Sequence, residues 1–91
     1  MPLQLEIVTP ERQVYSDTVD SVQVPGSEGY LGVLAHHAPL ITAMKDGKLE
    51  VKDPAGRVTA YRVTGGFLEV SDNRATVLAD SAEIEGSRSA E

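Results

Sequence analysis

Apolar and polar residues alternate one by one in several short stretches of this sequence. In the stretch 3–8, Leu3, Leu5 and Ile7 fall on one side of an extended chain, while Gln4 and Glu6 fall on the other. Successive side chains of a β-strand point to opposite faces, so this period of two predicts a strand with one buried face. Similar alternation or a short apolar run recurs at 20–26, 48–53, 59–64, 67–70 and 75–79. No helical periodicity precedes residue 79, and the sequence therefore predicts an all-β domain.

Turn-forming residues separate these stretches. The residues Asp-Pro-Ala-Gly at 53–56 have proline at the second position of a turn and glycine at the fourth, a pattern that type I turns favour. The residues Ser-Asp-Asn-Arg at 71–74 include two that tolerate a positive φ. Short strands with turns about every 8–12 residues favour a β-sandwich or a barrel.

The C-terminal residues differ from the rest of the chain. A length of 91 residues suits one domain, and we assign residues 1–80 to it. In residues 81–91, Ile84 is the one large apolar residue among small and charged ones. A helix here would include Gly86, which costs about 1 kcal/mol relative to alanine. We therefore predict a short tail that is irregular or incipiently helical.

The charge and composition exclude several classes of partner and chemistry. The formal net charge is −6, and the eight lysine and arginine residues are scattered. A phosphate backbone is bound by clustered basic residues, so nucleic acid is not a predicted partner. No apolar run approaches the roughly 20 residues of a membrane-spanning helix, and we expect no signal peptide. The chain contains no cysteine, which excludes disulfide and thiol chemistry.

The segment 26–48 holds the residues that come nearest to chemical motifs. Gly26, Gly29 and Gly32 lack the spacing of a dinucleotide fingerprint or a phosphate loop. His36 and His37 are adjacent, and adjacent side chains of an extended chain point to opposite faces, so the two do not form a metal site together. No Gly-x-Ser-x-Gly elbow is present. The sequence therefore predicts no catalytic residue, no cofactor and no metal.

The same segment places four large side chains in a run flanked by glycines: Tyr30, Leu31, Val33 and Leu34. We expect Val33 and Leu34 to enter the core. We expect Tyr30 and Leu31 to contact another protein, since tyrosine combines apolar area with a polar tip. The alternative is that all four lie in the core.

Three segments resemble the epsilon subunit of F-type ATP synthases. They are GSEGYLGVLAHHAPLITAMKDGKLEV from residue 26, VTGGFLEV from residue 63 and ATVLADSAE from residue 75. The family pattern is G-x-x-G-x-L-G-I-L-P-G-H-A-P-L-x-T-A-L-x-x-G, then G-G-F-x-E-V, then a strand that ends in L-A-D/E. The match keeps this order from about Leu3 to Glu83, and residues 5–26 are similar to the family's first two strands.

The resemblance implies an antiparallel β-sandwich of about ten strands and a role without catalysis. It implies a central-stalk (rotor) subunit of a proton-translocating F-type ATP synthase, which links the gamma subunit to the c-ring so that proton flow drives ATP synthesis. The implied location is peripheral, on the cytoplasmic side of a bacterial inner or plasma membrane. The stromal side of a chloroplast thylakoid is the alternative.

The resemblance also implies two interfaces. Residues Ser27, Glu28, Tyr30 and Leu31 would face the c-ring, and residues Thr9, His37 and Thr42 would face gamma. The sequence departs from the family pattern twice. Ala35 and His36 stand where the family has Pro-Gly, so the loop must adopt its turn without those residues. Tyr30 stands where the ring-facing position is often a carboxylate.

Typical members of the family continue into a two-helix C-terminal domain that inhibits ATP hydrolysis or binds ATP. The residues IEGSRS at 84–89 are similar to a weakened form of the motif I/L-D-x-x-R-A that opens its first helix. Residues 81–91 are therefore a tail or the start of a helical domain that this sequence lacks. The chain is either cut at the domain boundary or a naturally short member. Both alternatives imply that this chain neither binds ATP nor inhibits through helices.

Two other classes of function remain open from the residues alone. One is a free-standing β-sandwich module that binds a small ligand or a peptide, which would need a concave face lined by aromatic side chains. The aromatic content of 4% gives that hypothesis little support. The other is a small hydrolase that uses scattered acidic residues, which would need a cleft with perturbed carboxylates.

Overall fold

The computed structural model describes residues 2–89, and it folds them into ten β-strands. The strands are β1 (Leu3–Val8), β2 (Gln13–Val19), β3 (Ser21–Gly26), β4 (Gly29–Leu34), β5 (Leu40–Ala43), β6 (Gly47–Lys52), β7 (Arg57–Thr64), β8 (Phe67–Ser71), β9 (Arg74–Leu78) and β10 (Ser81–Ser89). Residues 2–89 contain no helix, and hence none that is long and apolar enough to cross a membrane. The prediction of an all-β domain is confirmed.

The ten strands form two five-stranded sheets. Sheet I has the order β2-β1-β9-β8-β5, and sheet II has the order β10-β7-β6-β3-β4. Neighbouring strands are antiparallel throughout, except for β1 and β9, which run parallel in the middle of sheet I. The antiparallel β-sandwich that the resemblance implied is therefore present, with one parallel pair inside it.

One apolar core lies between the sheets. Leu3, Leu5 and Ile7 of β1 are fully buried, and they pack in a single cluster with side chains of sheet II such as Leu49 and Val63. Full burial of one such side chain stabilises the fold by about 1.5–3 kcal/mol. The inward residues are the ones that the alternating pattern assigned to the buried face, which explains why the period of two predicted the fold.

Strand β4 confirms one core prediction and contradicts another. Val33 is fully buried, as expected, and lies opposite Val22 of β3. Leu34 is 63% exposed, so its predicted place in the core is wrong. The reason is the strand geometry: an extended chain that turns Val33 inward must turn Leu34 outward.

The predicted irregular or helical tail is also different in the structure. Residues 81–89 form strand β10, which pairs with β7 at the edge of sheet II. Ala82 is buried opposite Val63, and the backbone of β10 gains its hydrogen bonds from the ladder. Small and polar side chains suit this position because nearly all of β10 beyond Ala82 faces solvent. Residues 90 and 91 lie outside the described residues, and whether 81–91 lead into a separate domain stays a prediction.

Candidate interaction surfaces

The tip of the β3–β4 hairpin is the first exposed surface. Ser27 and Glu28 form its two-residue turn between the paired Gly26 and Gly29, and both are exposed. Gly29 has φ 127°, a conformation that side-chain-bearing residues rarely adopt. Together with the neighbouring Tyr30, these two turn residues make up what we call the hairpin tip.

Tyr30 is 57% exposed, and the hydroxyl end of its side chain lies against β6. Its hydroxyl oxygen accepts a hydrogen bond of 3.4 Å from the backbone N–H of Lys48. Gly47 faces the same hydroxyl, and a methyl group there would lie 3.4 Å from the Tyr30 oxygen and 3.1 Å from Cβ of Pro25. The ring therefore exposes apolar area while its polar end has a partner, and tyrosines of this kind are enriched at protein interfaces.

Leu31 points the other way from Tyr30. It is half-buried, lies opposite Val24 and packs against the core cluster. Of the four residues predicted to face the c-ring, Ser27, Glu28 and Tyr30 are thus brought together at the tip. Leu31 supports the tip from below and exposes less surface of its own.

Backbone hydrogen bonds join the hairpin tip to other parts of the sandwich. The Ser27 N–H donates to the Ala43 carbonyl at 3.0 Å, and the Lys45 N–H donates to the Pro25 carbonyl at 2.7 Å. The Met44 N–H in turn donates to the Gly66 carbonyl at 2.9 Å. The tip is therefore hydrogen-bonded to the end of β5, and the residue that follows β5 is hydrogen-bonded to the β7–β8 turn.

The outer face of sheet I carries a second surface, which we call the apolar patch. Adjacent strands contribute one outward apolar residue each, in the order Val8, Leu78, Phe67 and Ala43, and each lies directly opposite the next. Ile41 of β5 lies diagonally across from Phe67. The side chains of Ile41, Phe67 and Leu78 are 71%, 56% and 47% exposed. Contiguous exposed apolar side chains of this kind mark interaction sites on proteins.

A cleft of about 480 Å³ borders the apolar patch at the end of the sandwich. Val8, Phe67 and Leu78 form part of its wall, and Thr9 and Asp80 add polar groups to it. Thr9 is also part of the β1–β2 turn, where its hydroxyl donates to the Arg12 carbonyl at 3.2 Å. The predicted gamma-facing residue Thr9 therefore lies at the edge of the apolar patch.

The other two predicted gamma-facing residues lie elsewhere on sheet I. Thr42 is half-buried in β5, opposite Leu68, and its hydroxyl donates to the Ala43 carbonyl at 3.2 Å. His37 precedes β5, at the opposite end of the sheet from Thr9. The structure does not gather these three residues into one cluster. They are distributed along the length of sheet I.

The turn Leu34–His37, which we call the histidine turn, joins the two sheets beside the β8–β9 hairpin. The His37 N–H donates to the Leu34 carbonyl at 3.2 Å, and His36 has φ 63°. A positive φ at the third residue alone is the geometry of a type II turn, which prefers glycine there. A left-handed conformation costs a residue with a side chain about 1–2 kcal/mol. The turn thus forms with Ala35 and His36 in place of Pro-Gly.

The reading of the sequence missed the apolar patch. Its signal was present in pairs of adjacent large apolar residues, Leu40–Ile41 and Phe67–Leu68, inside strands that have only one buried face. One member of each such pair must point to solvent or to a partner. Leu68 is buried and Phe67 is exposed, and Leu40 packs against the core whereas Ile41 does not.

The two groups with shifted pKa values are tyrosines at the core. Burial raises the pKa of Tyr61, and burial followed by the charge of Asp17 raises that of Tyr15. The two rings meet edge to face at 6.3 Å between the sheets, so their shifts belong to the core. Within residues 2–89, no three histidine or acidic side chains are grouped as metal ligands. His36 and His37 in particular lie in a turn, where His37 Nδ1 is 2.7 Å from the Ala38 carbonyl oxygen.

Curated relatives and solved structures that resemble this chain include chains of ATP synthases. The ATP synthase epsilon chain of Roseiflexus sp. (strain RS-1) is 51% identical over 84 residues, which cover 91% of this chain and 59% of the relative. The epsilon chain of Anaeromyxobacter sp. (strain Fw109-5) is 49% identical over 86 residues, with coverage of 94% and 64%. This chain therefore spans about three fifths of the length of these relatives.

Among solved structures, a chain of the Euglena gracilis mitochondrial ATP synthase, from a complex of OSCP, F1 and c-ring, superposes with a TM-score of 0.87. It is 25% identical, and the match covers 91% of this chain and 53% of the other. A chain of the Tetrahymena thermophila central stalk and c-ring, at 17% identity and a TM-score of 0.72, shares the fold. The family model described as ATP synthase, Delta/Epsilon chain, beta-sandwich domain matches residues 2–85. This chain belongs to that family.

Proposed function

We propose that this chain is a non-catalytic central-stalk (rotor) subunit of a proton-translocating F-type ATP synthase. It links the gamma subunit to the c-ring, so that the three turn together and proton flow drives ATP synthesis elsewhere in the complex. The observation that carries this proposal is that a sandwich of this family presents two exposed surfaces of different composition, the hairpin tip and the apolar patch, which adjoin at Ala43. A subunit that joins two partners needs two such surfaces.

The apolar patch is the surface that we assign to gamma. Phe67, Leu78 and Ile41 offer the large, desolvatable side chains that dominate binding energy at the centre of an interface. Thr9 would form the polar margin at one end of the patch and His37 at the far end, while Thr42, which lies opposite the buried Leu68 and so faces away from the patch, would meet gamma only at the open edge of β5. An interface of this extent follows sheet I from end to end, which accounts for the wide separation of these three residues.

The hairpin tip is the surface that we assign to the c-ring. Ser27 and Glu28 offer a hydroxyl and a carboxylate, Tyr30 offers an exposed aromatic ring, and Leu31 supports them from the core side. The backbone bonds from Ser27 and Lys45 fasten this tip to the sandwich. Binding then orders few additional groups, which lowers the entropy cost of association and suits a joint that transmits torque.

The proposal places the chain at the periphery of a membrane through its complex. We expect the cytoplasmic side of a bacterial inner or plasma membrane, with the stromal side of a thylakoid as the alternative. Within residues 2–89 we propose neither an ATP site nor a metal site.

Binding to purified gamma tests the proposal, with two aspartate variants that differ in the face they alter. Phe67→Asp puts a charge into the apolar patch and should weaken the affinity for gamma at least about tenfold. Ile84→Asp puts the same charge at a similarly exposed apolar position on β10 of sheet II, outside both proposed surfaces and the histidine turn, and should leave the affinity unchanged. Equal affinities for Phe67→Asp and the unaltered chain would contradict the assignment of the patch.

Affinity purification of the whole complex tests the second surface. Tyr30→Ala removes the exposed aromatic ring without restoring the carboxylate that the family often has there, and it should reduce the c-ring subunits that are recovered with the tagged chain, while gamma is retained. If neither gamma nor ring subunits accompany the unaltered chain, the rotor function itself is refuted, and a free-standing binding module becomes the better hypothesis.

A further inference from the structure

The histidine turn is hydrogen-bonded to a side chain from a distant part of the sequence. His36 adopts the left-handed conformation at φ 63° without being glycine. Its backbone N–H donates to the side-chain oxygen of Asn73 at 2.8 Å, across a separation of 37 residues. The bond is as short as typical strong N–H···O bonds in proteins. The strained residue of the turn is therefore the one that Asn73 holds.

Asn73 is itself fixed by two further bonds. Its side-chain nitrogen donates to the Pro2 carbonyl at 2.9 Å, and its backbone carbonyl accepts from the Gln4 N–H at 3.2 Å. The orientation of the amide is unambiguous, because its oxygen meets a donor and its nitrogen meets an acceptor. Asn73 also has a positive φ, 59°, in the β8–β9 hairpin turn, so its side chain leaves the hairpin in a set direction.

Asp72 is a natural comparison for Asn73. It precedes Asn73 in the same hairpin turn and has nearly the same conformation, φ 53°. Its side chain is exposed. Two neighbouring residues with the same backbone geometry thus differ in the bonds that their side chains make to the histidine turn.

We propose that Asn73 is a positioning residue, which holds the histidine turn in the conformation that His36 alone would disfavour. A type II turn is ordinarily stabilised by glycine at its third position. Here a hydrogen bond from another strand pair stabilises the turn instead. The consequence for binding rests on the proposed function: the turn carries His37, which we assign to the gamma interface, so Asn73 would set the position of a residue it does not touch.

The exchange rate of the His36 amide proton with water, measured by NMR on the full chain, tests the bond directly. Asn73→Gly keeps the positive φ accessible and removes the amide, and should raise the exchange rate about fivefold, the effect of one net hydrogen bond. Asn73→Asp keeps the acceptor for His36 and should leave the rate near that of the unaltered chain. Asp72→Gly is the matched control and should also leave it unchanged.

Repeating Asn73→Gly in a His36→Gly chain distinguishes a loss of support for the turn from a general loss of stability. His36→Gly removes the strain, so Asn73→Gly added to it should change the affinity for gamma less than twofold. In the unaltered chain, Asn73→Gly should weaken gamma binding about threefold to fivefold. A His36 exchange rate that is unchanged by Asn73→Gly, or a loss of affinity that is equal in both backgrounds, would overturn the proposal.

The two proposals fail in different ways. If the unaltered chain does not bind gamma, the proposed function fails, and the exchange rates still decide whether Asn73 holds the turn. If gamma binds the unaltered chain and Asn73→Gly frees the His36 amide without any loss of affinity, the positioning role is refuted while the rotor function stands.

Discussion

The two sheets differ in how their exposed apolar side chains are arranged. On sheet I, the apolar patch lines up Val8, Leu78, Phe67 and Ala43 across four strands. On sheet II, the exposed apolar residues are split between the two edge strands, with Tyr30 and Leu34 on β4 and Ile84 on β10. Cross-strand ion pairs also lie on this sheet, Arg62–Glu85 at 3.0 Å and Arg88–Glu50 at 3.4 Å, whereas sheet I has Arg74–Glu6 at 3.7 Å. Both sheets cover the same core. The difference therefore does not come from the requirements of folding.

This contrast shows how little the total charge says about where a chain binds. A formal net charge of −6 describes both faces at once. Paired charges on sheet II are hydrated without a partner and contribute little free energy. Exposed apolar area on sheet I gains free energy only when another surface covers it, at about 25 cal/mol for each Å². The distribution of apolar residues, rather than their number, thus indicates the face that binds.

The largest expected effect concerns a glycine next to the apolar patch. Gly66 has φ 99°, and a methyl group there would overlap the Leu78 carbonyl and lie 2.8 Å from Cα of Ala79. Because backbone atoms cannot move aside cheaply, Gly66→Ala should lower the free energy of unfolding by about 3 kcal/mol or more. Urea denaturation measures this loss.

Gly32→Ala on the outer face of sheet II is the control for Gly66→Ala. A methyl group at Gly32 meets nothing within 4 Å, so its effect should stay within about 0.5 kcal/mol. Similar losses of unfolding free energy for the two variants would show that the backbone around Gly66 is packed no more closely than the backbone around Gly32.

Much of this fold could be predicted from the sequence, and the reasons are local. Leu3, Leu5 and Ile7 were assigned to the core because a strand with one buried face has no other arrangement. Asp72 and Asn73 were recognised as turn residues, and both have the positive φ that this requires. The alternation of apolar and polar residues and the residue preferences of turns involve only a few neighbouring positions, so a short segment of sequence is enough to recognise them.

The parts that could not be predicted depend on residues far apart in the chain. Strand β10 exists because β7 offers it an edge, although its own composition does not favour a strand. The apolar patch needs the register of four strands, and the bond between His36 and Asn73 spans 37 residues. The individual contacts assigned to Ser27, Glu28 and Thr9 stay predictions until a complex with their partners is measured.

An intermediate effect is expected from the tyrosine that lies between the two faces. Tyr61 is 3% exposed, and burial raises its pKa above the value of 10 that it has when unfolded. Above pH 10 the unfolded chain therefore releases a proton that the folded chain retains, and stability falls as the pH rises. The slope from this group is at most about 1.4 kcal/mol per pH unit, until the pH passes its folded-state pKa.

Urea denaturation between pH 8 and pH 11 checks this expectation, with Tyr61→Phe as the variant that lacks the titrating hydroxyl. The variant should lose less stability over this range than the unaltered chain. Tyr15, whose pKa is also raised by burial, continues to contribute in both. Parallel curves for the two proteins would mean that Tyr61 does not contribute to the alkaline loss.

The smallest expected effect concerns the ion pairs on sheet II. In the Arg62–Glu85 pair, the two side chains are 58% and 34% exposed, so water and salt screen their attraction. A double-mutant cycle with Arg62→Ala and Glu85→Ala should give a coupling of about 0.2–1 kcal/mol at low ionic strength, and less at 1 M salt. Under the same change of salt, affinity for gamma through the apolar patch should persist, because hydrophobic burial is not screened. A coupling free energy well above 1 kcal/mol that salt does not reduce would contradict this expectation. It would show that the Arg62–Glu85 pair holds β10 against β7.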